Sequence, residues 1–268
     1  MTIAKDSNPR TMRGAWLAAF LLAAAAGTIF AREAPDRIFA ARAETEFHRA
    51  QIRFQSDTND AVAAWQFARA GFDLADFATN SAGRAMIANE GIAACRTLLA
   101  RETNSAPGHY YLAMNFGQLA DAEAPSVAAY KLVKEIEREF KIAAQLDPQF
   151  DYAGPERNLG LLYRDAPGWP VSIGSRRKAR AFLEQAVKLA PDYPENHLNL
   201  AESCLSWRDR DAAKVELKAF DALGPAARTN FTGAAWERSW SEWSARRAAA
   251  GKKLEEISAP VKPPKAGR

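Results

Sequence analysis

The residue types that carry out catalysis or bind metals are sparse in this sequence of 268 residues. Its three histidines, His48, His109 and His197, are far apart, and none belongs to a His-Glu-x-x-His zinc motif. The sequence also has no Cys-x-x-Cys pair, Gly-rich phosphate loop or Gly-x-Ser-x-Gly nucleophile turn. It therefore predicts no metal, no cofactor and no catalytic residue, and an enzyme on a helical scaffold remains only the third hypothesis.

The most concentrated charge is the basic run Arg176-Arg177-Lys178-Ala179-Arg180. A nucleic-acid surface requires a longer basic patch interleaved with stacking aromatic residues. In a helix these charges spread around the first turns while Ala179 faces inward, which favours a solvated face. The formal net charge of +4 is therefore not an argument for nucleic-acid binding, and we expect none.

The first 31 residues are typical of an export signal. A positively charged start precedes the uncharged apolar run 15–30, with its basic residues at Lys5, Arg10 and Arg13. We expect cleavage after Ala31 and a periplasmic location. The alternative is an uncleaved anchor in the inner membrane, although the run is shorter than the roughly 20 residues that span a bilayer.

The rest of the sequence predicts an all-α fold. Past residue 40 apolar residues recur at three- and four-residue spacing, and the alternating runs typical of strands are nearly absent. The predicted helices span residues 42–55, 60–78, 82–101, 107–120, 127–146, 155–164, 175–190, 194–207, 210–223 and 231–251. Cys95 and Cys204 lie on the apolar sides of helical patterns, so we expect two buried thiols rather than a disulfide.

The second half of the chain contains a repeat with a period of 34 residues. Pro191 and Pro225 are 34 residues apart, and the residues before them match at equal offsets: Ala179, Leu183 and Ala186, then Ala213, Leu217 and Phe220. The preceding helices also match, with Leu159, Gly160 and Tyr163, then Leu200, Ala201 and Cys204. Small residues at these places let two antiparallel helices approach closely. The pattern resembles the tetratricopeptide repeat (TPR), and weaker matches extend it to four hairpins over residues 60–225.

Two of these hairpins are wider than a plain repeat. Tyr163 and Ala179 are 16 residues apart, whereas the equivalent Cys204 and Ala213 are nine apart, and a similar widening follows Gly117. Together with the export signal and residues 178–202, this resembles the periplasmic T component of tripartite ATP-independent periplasmic (TRAP) transporters. The resemblance implies helix pairs around a central opening and a solute-binding protein as a partner.

The resemblance to TPR proteins also implies where a partner would bind, because the first helix of each hairpin lines their concave face. The positions expected to be exposed there are Tyr111, Asn115, Gln118, Arg157, Arg164, Asp165, Glu195 and Glu202. Arginine can bind a carboxylate through two parallel donors, so this mixed set suits a polar peptide or a small anion. Trp169, between Gly168 and Pro170 in the inserted loop, either plugs its hairpin or forms a contact at the rim.

The last helix carries Trp236, Trp240 and Trp243 on one face. This stripe predicts a cap over the open end of the solenoid, and a partner or membrane-surface contact is its alternative use. The predicted organisation is a signal peptide at 1–31, an N-terminal helix at 32–59, a solenoid at 60–225, a capping helix at 226–252 and a disordered tail at 253–268.

The leading hypothesis is an exported, non-enzymatic scaffold or adaptor that binds a protein or peptide partner on its concave face. The second hypothesis, from the transporter resemblance, is an accessory component of periplasmic organic-acid transport. Neither the identity of the partner nor the oligomeric state follows from the sequence, and contact with a membrane is expected only through an uncleaved signal.

Overall fold

The structure, a computed structural model, describes residues 33–258 apart from residue 125. These residues form ten helices: α1 (Glu33–Ser56), α2 (Ala61–Ala75), α3 (Ser81–Leu99), α4 (Ala106–Glu123), α5 (Val127–Leu146), α6 (Phe150–Asp165), α7 (Arg176–Leu189), α8 (Pro194–Ser206), α9 (Arg210–Asn230) and α10 (Ala234–Ser258). The predicted signal peptide, 1–31, and residues 259–268 of the predicted tail lie outside the described residues. Among the helices described, none has both the length and the apolar character that crossing a membrane requires.

Short polar side chains start many of these helices. Asp60, Asn80, Ser105, Ser126 and Asp209 each accept a hydrogen bond from a backbone N–H group in the first turn that follows. Each such cap contributes about 1 kcal/mol to helix stability. Because this signal is local, each of the ten helices expected from the sequence is present.

The largest difference from the sequence prediction is in α9. The prediction that this helix ends at residue 223 is wrong, because α9 continues through Gly224 and Pro225. Pro225 removes one helical hydrogen bond, but this turn is packed through buried Ala227, whose carbonyl accepts from the backbone N–H of buried Phe231 at 2.8 Å. The chain turns instead at Gly233, whose φ of 85° is in the left-handed region that favours glycine.

The helices pack mainly on their neighbours in the chain. The chain divides within α7 into two compact units, whose described parts are residues 33–185 and 186–258. In the first unit each of α1 to α5 packs on the next helix, and α4 also contacts α2 and α6, so the first helices of successive hairpins meet. In the second unit α8 packs on α9, and α10 packs on both. This pattern of stacked hairpins confirms the all-α, TPR-like solenoid class.

Small residues set the spacing within hairpins, as the repeat predicts. A Cβ at Gly160 would lie 2.6 Å from Cγ of Leu183, so α6 and α7 approach closely only because residue 160 is glycine. Cys95 and Cys204 are both buried and free, which confirms the expectation of two thiols.

The tryptophan stripe of α10 forms the predicted cap. Trp236 and Trp243 are buried, and the ring of Trp243 lies 5.5 Å from that of Tyr193, while the ring of Trp236 lies 4.7 Å from that of Phe231. Trp240 is half-buried, and its indole N–H donates to the backbone carbonyl of Phe231 at 2.7 Å. The helix also extends through residues 253–258, which the sequence had placed in the tail.

Candidate functional site

Three of the predicted contact residues lie on α4 and are buried rather than exposed. Tyr111, Asn115 and Gln118 expose only 3%, 0% and 4% of their surface. The reason is that each contacts α2, the first helix of the preceding hairpin. The ring of Tyr111 stacks on Trp65 with the centroids 5.8 Å apart, and the Asn115 amide donates to the carbonyl of Ala68 at 2.9 Å.

Gln118 contacts the carboxyl-terminal end of α2 in the same way. Its amide N–H donates to the Asp76 carboxylate at 2.7 Å and to the carbonyl of Phe72 at 3.3 Å. Buried amides require such partners, because an unsatisfied polar group in the interior is destabilising. The exposure predicted for Tyr111, Asn115 and Gln118 is therefore wrong, and these residues position α2.

The residues that α4 supports form a half-buried row along α2, which we call the α2 row. It consists of Trp65, Arg69, Asp73 and Asp76. The side chains of Arg69 and Asp73 are 18% and 15% exposed, and Nε of Arg69 lies 4.0 Å from Oδ2 of Asp73. Sequence reasoning missed this row because the first hairpin matches the repeat weakly. Its spacing places the four residues on one helix face and would have been the signal to find it.

Arg157 is also buried, with a fully covered side chain. Its guanidinium donates to the carbonyl of Tyr152 at 2.9 Å and pairs with the Asp151 carboxylate at 3.3 Å. The Tyr110 hydroxyl donates to the same carboxylate at 2.7 Å. The predicted exposure of Arg157 is wrong because this arginine neutralises a carboxylate buried beside it.

This ion pair stabilises the first turn of α6, where the backbone conformation is unusual. Asp151, Tyr152 and Ala153 have φ values of 54°, 55° and 61°, in the left-handed region that costs a non-glycine residue roughly 1–2 kcal/mol. Arg157 accommodates the turn because its guanidinium reaches the carbonyls of residues 151 and 152. Asn158 extends the network by donating to the Tyr110 hydroxyl at 2.9 Å.

A second polar cluster lies where α3 and α4 meet the end of α2. Arg84 donates to the side-chain oxygen of Gln118 at 3.2 Å and lies 3.8 Å from the Asp121 carboxylate. Burial raises the pKa of Asp121 to about 7, although the charge of Arg84 opposes this shift and the charge of Asp76 adds to it. Asp121 therefore titrates near neutral pH at the edge of the α2 row.

Arg164 and Asp165 are partly exposed but bind each other. Nε of Arg164 lies 2.6 Å from Oδ1 of Asp165, and their side chains are 19% and 12% exposed. Trp169, in the loop that follows them, is 89% exposed, so its alternative role as a plug of the hairpin is wrong. Its role as a contact at the rim stays a prediction.

Glu195 and Glu202 lie in the other compact unit, where both carboxylates are bound by a residue of α10. Arg246 of α10 donates to Glu195 at 2.9 Å, to Glu202 at 2.7 Å and to Asn199 at 2.5 Å. The predicted exposure is wrong for Glu195, which is 6% exposed, because the capping helix covers it. Binding by any of the nine predicted residues remains a prediction.

Two histidines make the same contact in different hairpins, because each pairs with a glutamate of the second helix. Nδ1 of His109 lies 2.5 Å from Glu139, and Nδ1 of His197 lies 2.7 Å from Glu216, so each pair joins the two helices of one hairpin. Burial alone would lower the pKa of each histidine, but the hydrogen bond to the glutamate raises it overall. Within the part of the chain that the structure describes, no group of three His, Cys, Asp or Glu side chains could hold a metal ion.

Comparison with known proteins supports the fold. No model of a known protein family matches the sequence. No curated protein matches it either. The chain is similar in structure to TTC0263, a thermophilic TPR protein of Thermus thermophilus, with 20% identity, a TM-score of 0.60 and coverage of 81% of this chain and 94% of that chain. At this identity the similarity shows the fold alone.

Two other solved structures are more distant. MamA protein has 11% identity and a TM-score of 0.41, with coverage of 85% of this chain and 97% of that chain. Yeast Tom70 has 13% identity and a TM-score of 0.33, with coverage of 84% of this chain and 61% of that chain. The conclusion about the fold rests on the Thermus protein, and the resemblance to a TRAP transporter component stays a prediction.

Proposed function

We propose that this chain is an exported, non-enzymatic scaffold that binds a protein or peptide partner along the α2 row. The observation that supports this most directly is that side chains of α4 contact the row and fix its position. Tyr111 stacks on Trp65, and Gln118 hydrogen-bonds Asp76. Groups fixed before binding lose little conformational entropy when a partner arrives.

The chemistry of the α2 row suits a polar, extended peptide. An aromatic ring, Trp65, lies on the same helix face as a guanidinium and two carboxylates. Arginine and tryptophan are common anchors in protein interfaces, while half-buried carboxylates can accept hydrogen bonds from backbone N–H groups. The partly exposed Arg164 and Asp165 belong to the same compact unit and remain predicted contacts.

Export and a periplasmic location rest on the first 31 residues alone. An anchored form in the inner membrane remains the alternative. The role as an accessory of organic-acid transport, with a solute-binding protein as partner, stays a prediction from the resemblance.

The proposal is tested by affinity capture from envelope extracts of the native host, followed by mass spectrometry and titration of the purified partner. Trp65→Leu combined with Asp73→Asn should weaken binding at least tenfold, because both changes alter the half-buried face. The control, Lys214→Gln combined with Val215→Ala, changes exposed residues of α9 and should bind like the wild type.

Circular dichroism of both double variants tests whether each remains folded. Equal binding by the wild type and the Trp65/Asp73 variant would show that the α2 row is not the site. Capture of nothing specific by the wild type would contradict the scaffold function itself.

A further inference from the structure

The loop between α6 and α7 is closed at its base by backbone hydrogen bonds. The N–H of Gly174 donates to the carbonyl of Pro167 at 2.9 Å, and the N–H of Ser175 donates to the carbonyl of Tyr163 at 2.8 Å. A Cβ at Gly174 would lie 2.0 Å from the carbonyl oxygen of Ala166, so this closure requires glycine. The tip of the loop is therefore presented from a fixed base.

The tip carries apolar side chains that face water. Trp169 is 89% exposed and Val171 is 64% exposed, and Pro170 between them is also exposed. An indole in water is unfavourable, because its apolar surface is hydrated rather than buried. The closed base keeps the tip in this position, so the apolar surface is available to a partner.

Basic residues follow the loop directly. Arg176, Arg177 and Lys178 begin α7 and are exposed, and they lie within one helical turn, about 5 Å of rise, of the base of the loop. The Lys178 amine lies 4.8 Å above the ring of Tyr163. Residues 166–183 contain no aspartate or glutamate.

We propose that this surface, the Trp169 patch, docks on a membrane that contains anionic lipids. The Trp169 patch consists of Trp169, Pro170, Val171, Arg176 and Arg177. Tryptophan prefers the interface between hydrocarbon and headgroups, and arginines attract the phosphates of anionic headgroups in the same layer. The proposal is independent of partner binding along the α2 row, and it adds a membrane contact beyond the amino-terminal segment.

A lipid surface fits the Trp169 patch better than an acidic protein segment does. The Trp169 side chain at the tip is almost entirely exposed to water, whereas protein interfaces enclose their aromatic anchors in pockets of matching shape. A membrane interface accepts an indole without such a pocket. Each arginine should strengthen binding to an anionic surface about fivefold, and added salt should weaken it.

The test measures quenching of tryptophan fluorescence in the full chain by brominated phosphatidylcholine in vesicles with and without phosphatidylglycerol. Trp169 is one of seven tryptophans, so the difference between the wild type and Trp169→Phe isolates its signal. Contact through the amino-terminal run is common to all variants and leaves this difference unchanged. Trp207→Phe, at the half-buried residue that follows α8, is the control for loss of a tryptophan elsewhere.

With phosphatidylglycerol present, we expect a quenched component that Trp169→Phe removes and Trp207→Phe keeps. Replacing Arg176 and Arg177 with glutamine should weaken that component about fivefold per residue, whereas the control Lys214→Gln with Lys218→Gln should not. Equal quenching in the wild type and Trp169→Phe would overturn the proposal. So would a purified acidic protein partner that binds the wild type, but not Trp169→Phe, while Trp169 remains unquenched.

Discussion

Asn115 and Gln118 illustrate, at the scale of single residues, why a polar side chain on a first helix need not face a partner. Each amide donates to α2, at Ala68 and at Asp76 respectively. In a closely packed hairpin stack these amides are enclosed, and they stay there because their donors are satisfied. The polarity of the two residues therefore serves the positioning of the neighbouring helix.

The packing around Asn115 leads to a prediction about Gly91 of α3. A Cβ at Gly91 would lie 2.5 Å from Oδ1 of Asn115, and Asn115 is held by its own hydrogen bonds. Gly91→Ala should therefore reduce the free energy of unfolding by about 1–3 kcal/mol. Urea denaturation measures this change.

The matched control is Gly224→Ala within α9. Nothing lies within 4 Å of a Cβ at Gly224, so alanine should stabilise the helix by about 0.5–1 kcal/mol. Equal effects of the two substitutions would contradict the close approach of α3 and α4.

Asp121 leads to a prediction about pH. Burial raises its pKa from 3.8 to about 7 in the folded chain, so the folded state holds this proton over a range in which the unfolded state has lost it. The stability that depends on the proton is complete below about pH 4 and is lost as the pH rises towards 7. Asp121→Asn should remove this slope and should be more stable than the wild type at pH 8, on the order of 2–4 kcal/mol.

Denaturation of both proteins between pH 4 and 8 measures the difference. Asp211→Asn changes an exposed carboxylate of α9 and should keep the slope of the wild type. Parallel profiles for Asp121→Asn and the wild type would show that Asp121 does not cause the slope.

At the scale of helices, α10 packs on α8 and α9 as a cap. Its tryptophans bury apolar surface beside Tyr193, and Arg246 joins it to Glu195 and Glu202 of α8. The two carboxylates that the repeat assigns to a partner thus have an internal partner already. The residues of the first unit are therefore better candidates for external binding.

The cap leads to a prediction about thermal stability. Trp243 is 1% exposed, and Trp243→Ala should lower the free energy of unfolding by about 3–5 kcal/mol. Trp240→Ala should lower the melting temperature less, because Trp240 is half-buried. Trp169→Ala, in the exposed loop, should change stability by no more than about 0.5 kcal/mol. Calorimetry separates the three, and equal melting temperatures for Trp243→Ala and Trp169→Ala would contradict the cap.

At the scale of the whole molecule, the main contacts within residues 33–258 join helices one or two places apart in the chain. Repeat proteins with such contacts have stability that is approximately a sum of local terms. A destabilising substitution should therefore lower the local stability of its own hairpin and of the neighbouring one first.

Hydrogen exchange tests this locality. Trp243→Ala should speed amide exchange in α8, α9 and α10 while α1 to α4 keep the wild-type rates, because the free energy of local opening varies along the chain. Gly91→Ala should show the reverse distribution. Faster exchange throughout the chain in both variants would instead indicate a single cooperative unit.

The sequence by itself determined the helices, the hairpin repeat, the buried thiols and the tryptophan cap. These features follow from local signals: apolar spacing, polar caps such as Asp60, and small residues such as Gly160. Such signals act within one helix or between a helix and its neighbour, so they can be read without coordinates.

Only the tertiary structure decided which polar residues are accessible. Arg157 and Glu195 were expected to face a partner, but each is enclosed by an ion pair, with Asp151 and Arg246 respectively. The exposure of Trp169 and the raised pKa of Asp121 were likewise not decided by the sequence pattern. The physical reason is that burial and charge depend on distances between side chains of different helices, and the spacing of residues within one helix does not set those distances.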